Sequence, residues 1–338
     1  MDRDPVIKRA AGFDPVLTMK LTLLDKYQGP VWKVAGALLL CTGSAAIISF
    51  AVADGEAHQM FASTSHIVGT VLMLSVLPCY LTAAFIYLYR ETQNMLGSMA
   101  CFGEAGSVER LRSQAGSLGL WSIVVVLIAV GYGFYQNIFA IKKMWAGEPY
   151  TVLDVGVVLG NVFIWLCIGL FASWRVPVSM ALRRFGAGLD VDLYQPERLT
   201  PLANLATKDV LIVAGAMAFM PLQALDAEFR WVNYQAGLIV GIPIAVLLLF
   251  TPLSGIRQAL IRSKSARLAE LTEMIEQTSR EDVAQLEMLS SHRARVKSIS
   301  NWAVDFGLAT KIFAYAVIAP LAWVGAALVE NLVDQFTG

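Results

Sequence analysis

Residues 67–89 read IVGTVLMLSVLPCYLTAAFIYLY, an apolar run without one charged side chain. At ~1.5 Å of rise per residue, a helix of this length crosses a hydrocarbon core of ~30 Å, which takes ~20 predominantly apolar residues. Six further uncharged or nearly uncharged runs lie on either side of it, at 34–53, 118–141, 152–174, 210–225, 231–256 and 312–329. Only 210–225 and 312–329 fall short of full length, and each has room for a helical extension. The pattern predicts an all-α fold: a polytopic transmembrane helical bundle of about seven spans.

Charge sets the orientation. Of the 26 Lys and Arg, 23 fall in segments on the N-terminal side of the spans: six in 1–33, three in 90–117, five in 175–208 and nine in 254–311. The opposite side holds only Lys142, Lys143 and Arg230. Basic residues are retained in the cytoplasm during insertion, so the expected N-terminus is cytoplasmic and the C-terminus external. A net charge of zero hides this sidedness. A polybasic inner face is ordinary for such proteins, and nucleic acid is not an expected partner. Trp32, Trp121, Trp145, Trp174, Trp231 and Trp302 sit at span ends, where an amphipathic ring prefers the headgroup region. With no cleavable signal pattern ahead of the first run and compact loops, the expected location is a prokaryotic inner (plasma) membrane.

The domain organisation follows. Residues 1–32 form a cytoplasmic N-terminal segment, in which Val16, Met19, Leu23, Leu24 and Tyr27 predict an interfacial amphipathic helix. Residues 33–253 form a six-span bundle, and 304–338 the seventh span with a short external C-terminus. Between them, 254–303 predicts a cytoplasmic antiparallel helical hairpin, with Thr278-Ser279-Arg280-Glu281 as a capping box at its turn. Seven large aliphatics in the hairpin exceed what two solvated helices need. Leu268, Leu271, Ile275, Leu286 and Leu289 are its candidate docking face, for another membrane protein or a second copy of the chain. Thr200-Pro201 predicts the start of a fifth span lengthened to about 201–225.

Chemistry is sparse. Val130-Gly131-Tyr132-Gly133 resembles the selectivity filter of potassium channels, in which backbone carbonyls replace the ion's water shell. A filter would require 118–141 to be a re-entrant loop. That would invert the rest of the chain and place its basic segments outside, so close helix packing at Gly131 and Gly133 is the expectation. Asp154, Asp226, Asp305 and Lys311 lie within a turn or two of span ends, which argues against a proton-coupled carrier. The uncharged polar candidates for a pore are Asn161, Gln136, Asn137 and Gln223, for which interhelical hydrogen bonding is the simpler use.

Asp54, Glu56, His58 and His66 follow no standard metal-ligand spacing. The four cysteines lie in spans or, for Cys101, in an inner loop. There is no phosphate loop, His-Glu-x-x-His, Cys-x-x-Cys or Gly-x-Ser-x-Gly motif, so no catalytic, cofactor or metal residue is assigned. The sequence points to a non-enzymatic membrane scaffold or regulatory component that docks partners through its hairpin. The alternative is a channel or facilitator for an ion or small solute.

Overall fold

The structure, a computed structural model, describes residues 19–21, 24, 27, 29–52, 68–99, 105–147, 152–194, 199–219, 222, 231–279 and 281–302. Its helices are α1 (Val31–Val52), α2 (Val68–Met99), α3 (Ala105–Ala115), α4 (Leu120–Gln136), α5 (Ile138–Trp145), α6 (Val152–Gly188), α7 (Thr200–Met217), α8 (Trp231–Gln277) and α9 (Val283–Ser298). The only strands among the described residues are two-residue pieces: β1 (Met19–Lys20) pairs antiparallel with β2 (Ser117–Leu118).

Among the described residues, three helical segments are long and apolar enough to cross a membrane: Gly69–Met99, Asp154–Gly188 and Leu238–Gln277. A fourth is possible if α4 and α5, bent by 65° at Asn137, count as one span. α1 is a 22-residue apolar helix. α7 has 18 residues, includes Lys208 and Asp209, and ends at Met217, short of the expected 225. The expected seventh span, 312–329, lies outside the described residues, as do Asp226, Asp305 and Lys311. Large apolar side chains are exposed along these helices, among them Leu40, Leu127, Ile128, Leu159 and Ile239. Such a surface suits lipid better than water.

Several expected boundaries move. α6 does not end at 174 but continues unbroken to Gly188, so the first part of the supposed loop 175–208 is helix. Pro177 lies within it and cannot bond the carbonyl of Ser173 four residues back. The Ser122 hydroxyl of α4 donates to that carbonyl at 3.4 Å. A neighbouring helix thus recovers the lost bond, as proline in a packed bundle requires. α8 likewise runs through Pro243 and Pro252 for 47 residues, ~70 Å, so the boundary set at 253/254 falls inside one continuous helix.

Within 254–303, α9 packs against α8. Its cap is Asp282, whose carboxylate accepts from the Gln285 amide at 3.1 Å, and not the box expected at Thr278. The Thr278 hydroxyl instead donates back to the Met274 carbonyl. At the N-terminal segment, the predicted helical face is interrupted by the β1–β2 pairing and by the Leu21 amide donating to the Gly116 carbonyl at 2.9 Å.

One core joins the hairpin end of the bundle. Leu96, Met99 and Leu111 of α2 and α3, Trp174 and Leu182 of α6, Leu202 of α7, Ile256 and Leu271 of α8, and Val296 of α9 belong to a single buried cluster. Buried residues of α8 and α9 thus belong to the same cluster as those of α2, α3, α6 and α7.

Candidate functional site

The most concentrated chemistry lies where α2, α6 and α7 meet. Arg175 and Asp209 have fully buried side chains. The Arg175 guanidinium donates through Nε to Asp209 Oδ1 at 2.7 Å and through Nη2 to Oδ2 at 2.6 Å. Its Nη1 donates to the Thr92 hydroxyl at 2.9 Å, and that hydroxyl donates to the Leu88 carbonyl at 2.7 Å. The fork of a guanidinium matches a carboxylate in this bidentate manner, and both partners need it when water is excluded. Trp174 lies alongside, its ring centroid 5.4 Å from the Arg175 guanidinium carbon and its indole nitrogen donating to the Ala115 carbonyl at 2.9 Å.

A second ion pair sits one residue along on two of these helices. Lys208 Nζ lies 2.5 Å from Glu91 Oε2, with both side chains partly exposed. Glu91-Thr92 and Lys208-Asp209 thus tie α2 to α7 twice, and Arg175 adds α6. Both carboxylate oxygens of Asp209 are engaged by one arginine, so the arrangement is a three-helix clamp and offers no free base. Ser179, one turn beyond Arg175, has a buried hydroxyl with no partner.

The sequence reading missed this network. It placed Arg175 and Lys208 in a loop and found no ionisable residue deep in a span. The available signal was Lys208-Asp209, which falls within the lengthened fifth span 201–225 and belonged among the charges needing a partner. Trp174 also departs from expectation: it is buried between Phe85 and Tyr89, at 4.8 and 6.1 Å between ring centroids, and does not face headgroups. Trp32, Trp121 and Trp145 are exposed as a belt requires.

Of the four pore candidates, Gln136 accepts from the Trp165 indole at 2.7 Å, bridging α4 and α6. Asn137 donates from its side chain to the Gly133 carbonyl at 2.7 Å and caps α4. Asn161 is partly buried on α6, one turn before Trp165. Gln223 lies outside the described residues. Val130–Gly133 is ordinary helix within α4. A Cβ on Gly133 would meet Trp165 at 3.1 Å and Val162 at 3.2 Å, whereas one on Gly131 would meet open space. Close packing therefore explains Gly133 alone, and Gly131 is corrected to an outward-facing position.

Of the docking candidates, Leu271 and Leu289 are buried, and Leu268, Ile275 and Leu286 are partly buried. The large apolar side chains left exposed in 254–303 among the described residues are Ile261, Val283 and Met288, of which Val283 and Met288 are the most open, 67% and 62% exposed. Beside the hairpin, Tyr194 makes a short hydroxyl contact with His292 Nε2, and Arg262 donates to the Ala187 carbonyl at 2.7 Å, closing the end of α6. Among the described residues there is no cluster of three metal-ligating side chains. Asp54, Glu56, His58 and His66, for which no metal site was expected, lie outside them, as does Cys101.

No protein-family model, curated protein or solved structure matches this chain.

Proposed function

We propose that this chain is a non-enzymatic multispanning protein of an inner (plasma) membrane, serving as a scaffold or regulatory component that docks a partner through residues 254–303. The single observation that carries this reading is α8, which runs without interruption from the apolar segment starting at Leu238 to Gln277 in the hairpin. The far end of α8 shares one buried cluster with α2, α3, α6 and α7, which supports a hairpin held against the bundle. A partner held at the hairpin is thereby held at a fixed position relative to the membrane helices.

The supporting topology has the N-terminus cytoplasmic, the C-terminus external and seven spans. Its support is the 23-to-3 partition of basic residues. Reporter fusions at Gly338 and between 146 and 150 are expected to read external; a cytoplasmic C-terminus overturns it. The partner is a second protomer or another membrane protein, meeting the hairpin around Val283 and Met288. A photocrosslinking residue at position 288 in native membranes is expected to give one adduct of defined mass. A protein with no adduct, monomeric by native mass in detergent, rejects the docking function. The channel reading draws less support, because Gln136 and Asn137 commit side-chain groups to packing and capping. Solute flux through liposomes carrying the purified protein would restore it.

A further inference from the structure

The outward stripe of α6 changes character abruptly. Leu159, Phe163, Leu170 and Met180 are exposed, and from Leu159 to Met180 the helix rises ~32 Å, close to the ~30 Å of a bilayer's hydrocarbon core. The next exposed large side chains on this helix are Arg183 and Arg184. On α8, Ile239, Val246 and Phe250 are exposed in the same way, and Arg257 is exposed two turns later. The two transitions are level. A Cβ on Gly255 would fall against the Arg183 backbone, and one on Gly186 would meet the Ile256 amide nitrogen at 3.3 Å.

The geometry points to Arg183, Arg184 and Arg257 as a binding surface for the headgroup phosphate of an anionic phospholipid, a site that rests on the membrane reading above. None of the three arginines is ion-paired to a described carboxylate, and Arg257 stacks over Trp302 with its guanidinium carbon 5.2 Å from the ring centroid. The carboxylates nearest to Arg183 and Arg184 along the chain, Asp190 and Asp192, lie past the end of α6, and the one nearest to Arg257 is Glu270, more than three turns along α8. Exposed Met180 and Phe250 below the arginines give the acyl chains an apolar wall. Charge above and hydrocarbon below is the chemistry of a lipid; an acidic soluble peptide has no use for the apolar half. Each arginine near an anionic surface strengthens attachment about fivefold.

The test is native mass spectrometry of the full-length, delipidated protein in detergent, titrated with phosphatidylglycerol or phosphatidylcholine. The wild type is expected to bind phosphatidylglycerol more tightly, and R183Q/R184Q/R257Q to lose that preference while its lipid-free melting temperature is unchanged. R184Q alone, expected to weaken phosphatidylglycerol binding about fivefold, serves if the triple variant does not fold. R293Q/R295Q, on the exposed face of α9, is expected to bind like the wild type. Equal binding of both lipids by the wild type, an equal loss in R293Q/R295Q, or displacement of the lipid by millimolar inorganic phosphate overturns the site. Failure of the membrane reading has a separate signature: release of the protein from membranes by alkaline carbonate.

Discussion

Gly255 of α8 approaches Arg183 of α6 so closely that any Cβ there would overlap the Arg183 backbone carbonyl. Backbone is the least yielding neighbour a side chain can meet, so the two helices would have to separate. Gly255→Ala is expected to destabilise the protein by about 1–3 kcal/mol, read as a lower melting temperature in detergent. Gly36→Ala, on α1 where a Cβ meets nothing within 4 Å, is the control and should leave the melt unchanged or slightly raised.

Removing one member of the Arg175–Asp209 pair leaves a buried charge without its partner. Asp209→Asn or Arg175→Met should each cost about 3–5 kcal/mol. The double change Arg175→Met with Asp209→Asn removes both charges and should cost much less than the sum of the two, since contacting residues are not additive. Equilibrium unfolding of the four proteins closes this cycle; additivity would show that the pair does not act as a unit.

The two glycines of α4 should part company. Gly133→Leu is expected to lower stability by forcing α4 from Trp165 and Val162, while Gly131→Leu is expected to be tolerated because its side faces open space. Potassium conductance from purified protein, abolished by either change, would contradict the helical assignment of Val130–Gly133.

Two substitutions distinguish the inside of the hairpin from its surface. Leu271→Asp places a charge in the buried cluster and should expose α8 and α9 to limited proteolysis. Val283→Asp, on a residue already 67% exposed, should leave the proteolysis pattern as in the wild type. Sensitivity in both would mean that Val283 is covered in the folded protein.

The helical, membrane-suited character was legible because hydrophobic run length is a local property: 67–89 is apolar enough to cross a bilayer whatever its neighbours do. The hairpin's two helices and the start of α7 at Thr200 were legible for the same reason, from periodicity and the Thr-Pro start. Where helices end was less so. α6 passes through Trp174, Arg175 and Pro177, with Ser122 of α4 donating to the carbonyl the proline leaves free, and no local pattern announces a donor some fifty residues away. Gly131 and Gly133 are equivalent as letters, and only the position of α6 makes one of them a contact. The buried charges were the hardest to place. An arginine at the end of an apolar run looks like an interfacial residue until a carboxylate from another helix is set against it. By itself the sequence determined which segments prefer lipid; the tertiary structure alone decided which charges avoid solvent, because burial and pairing depend on residues distant along the chain.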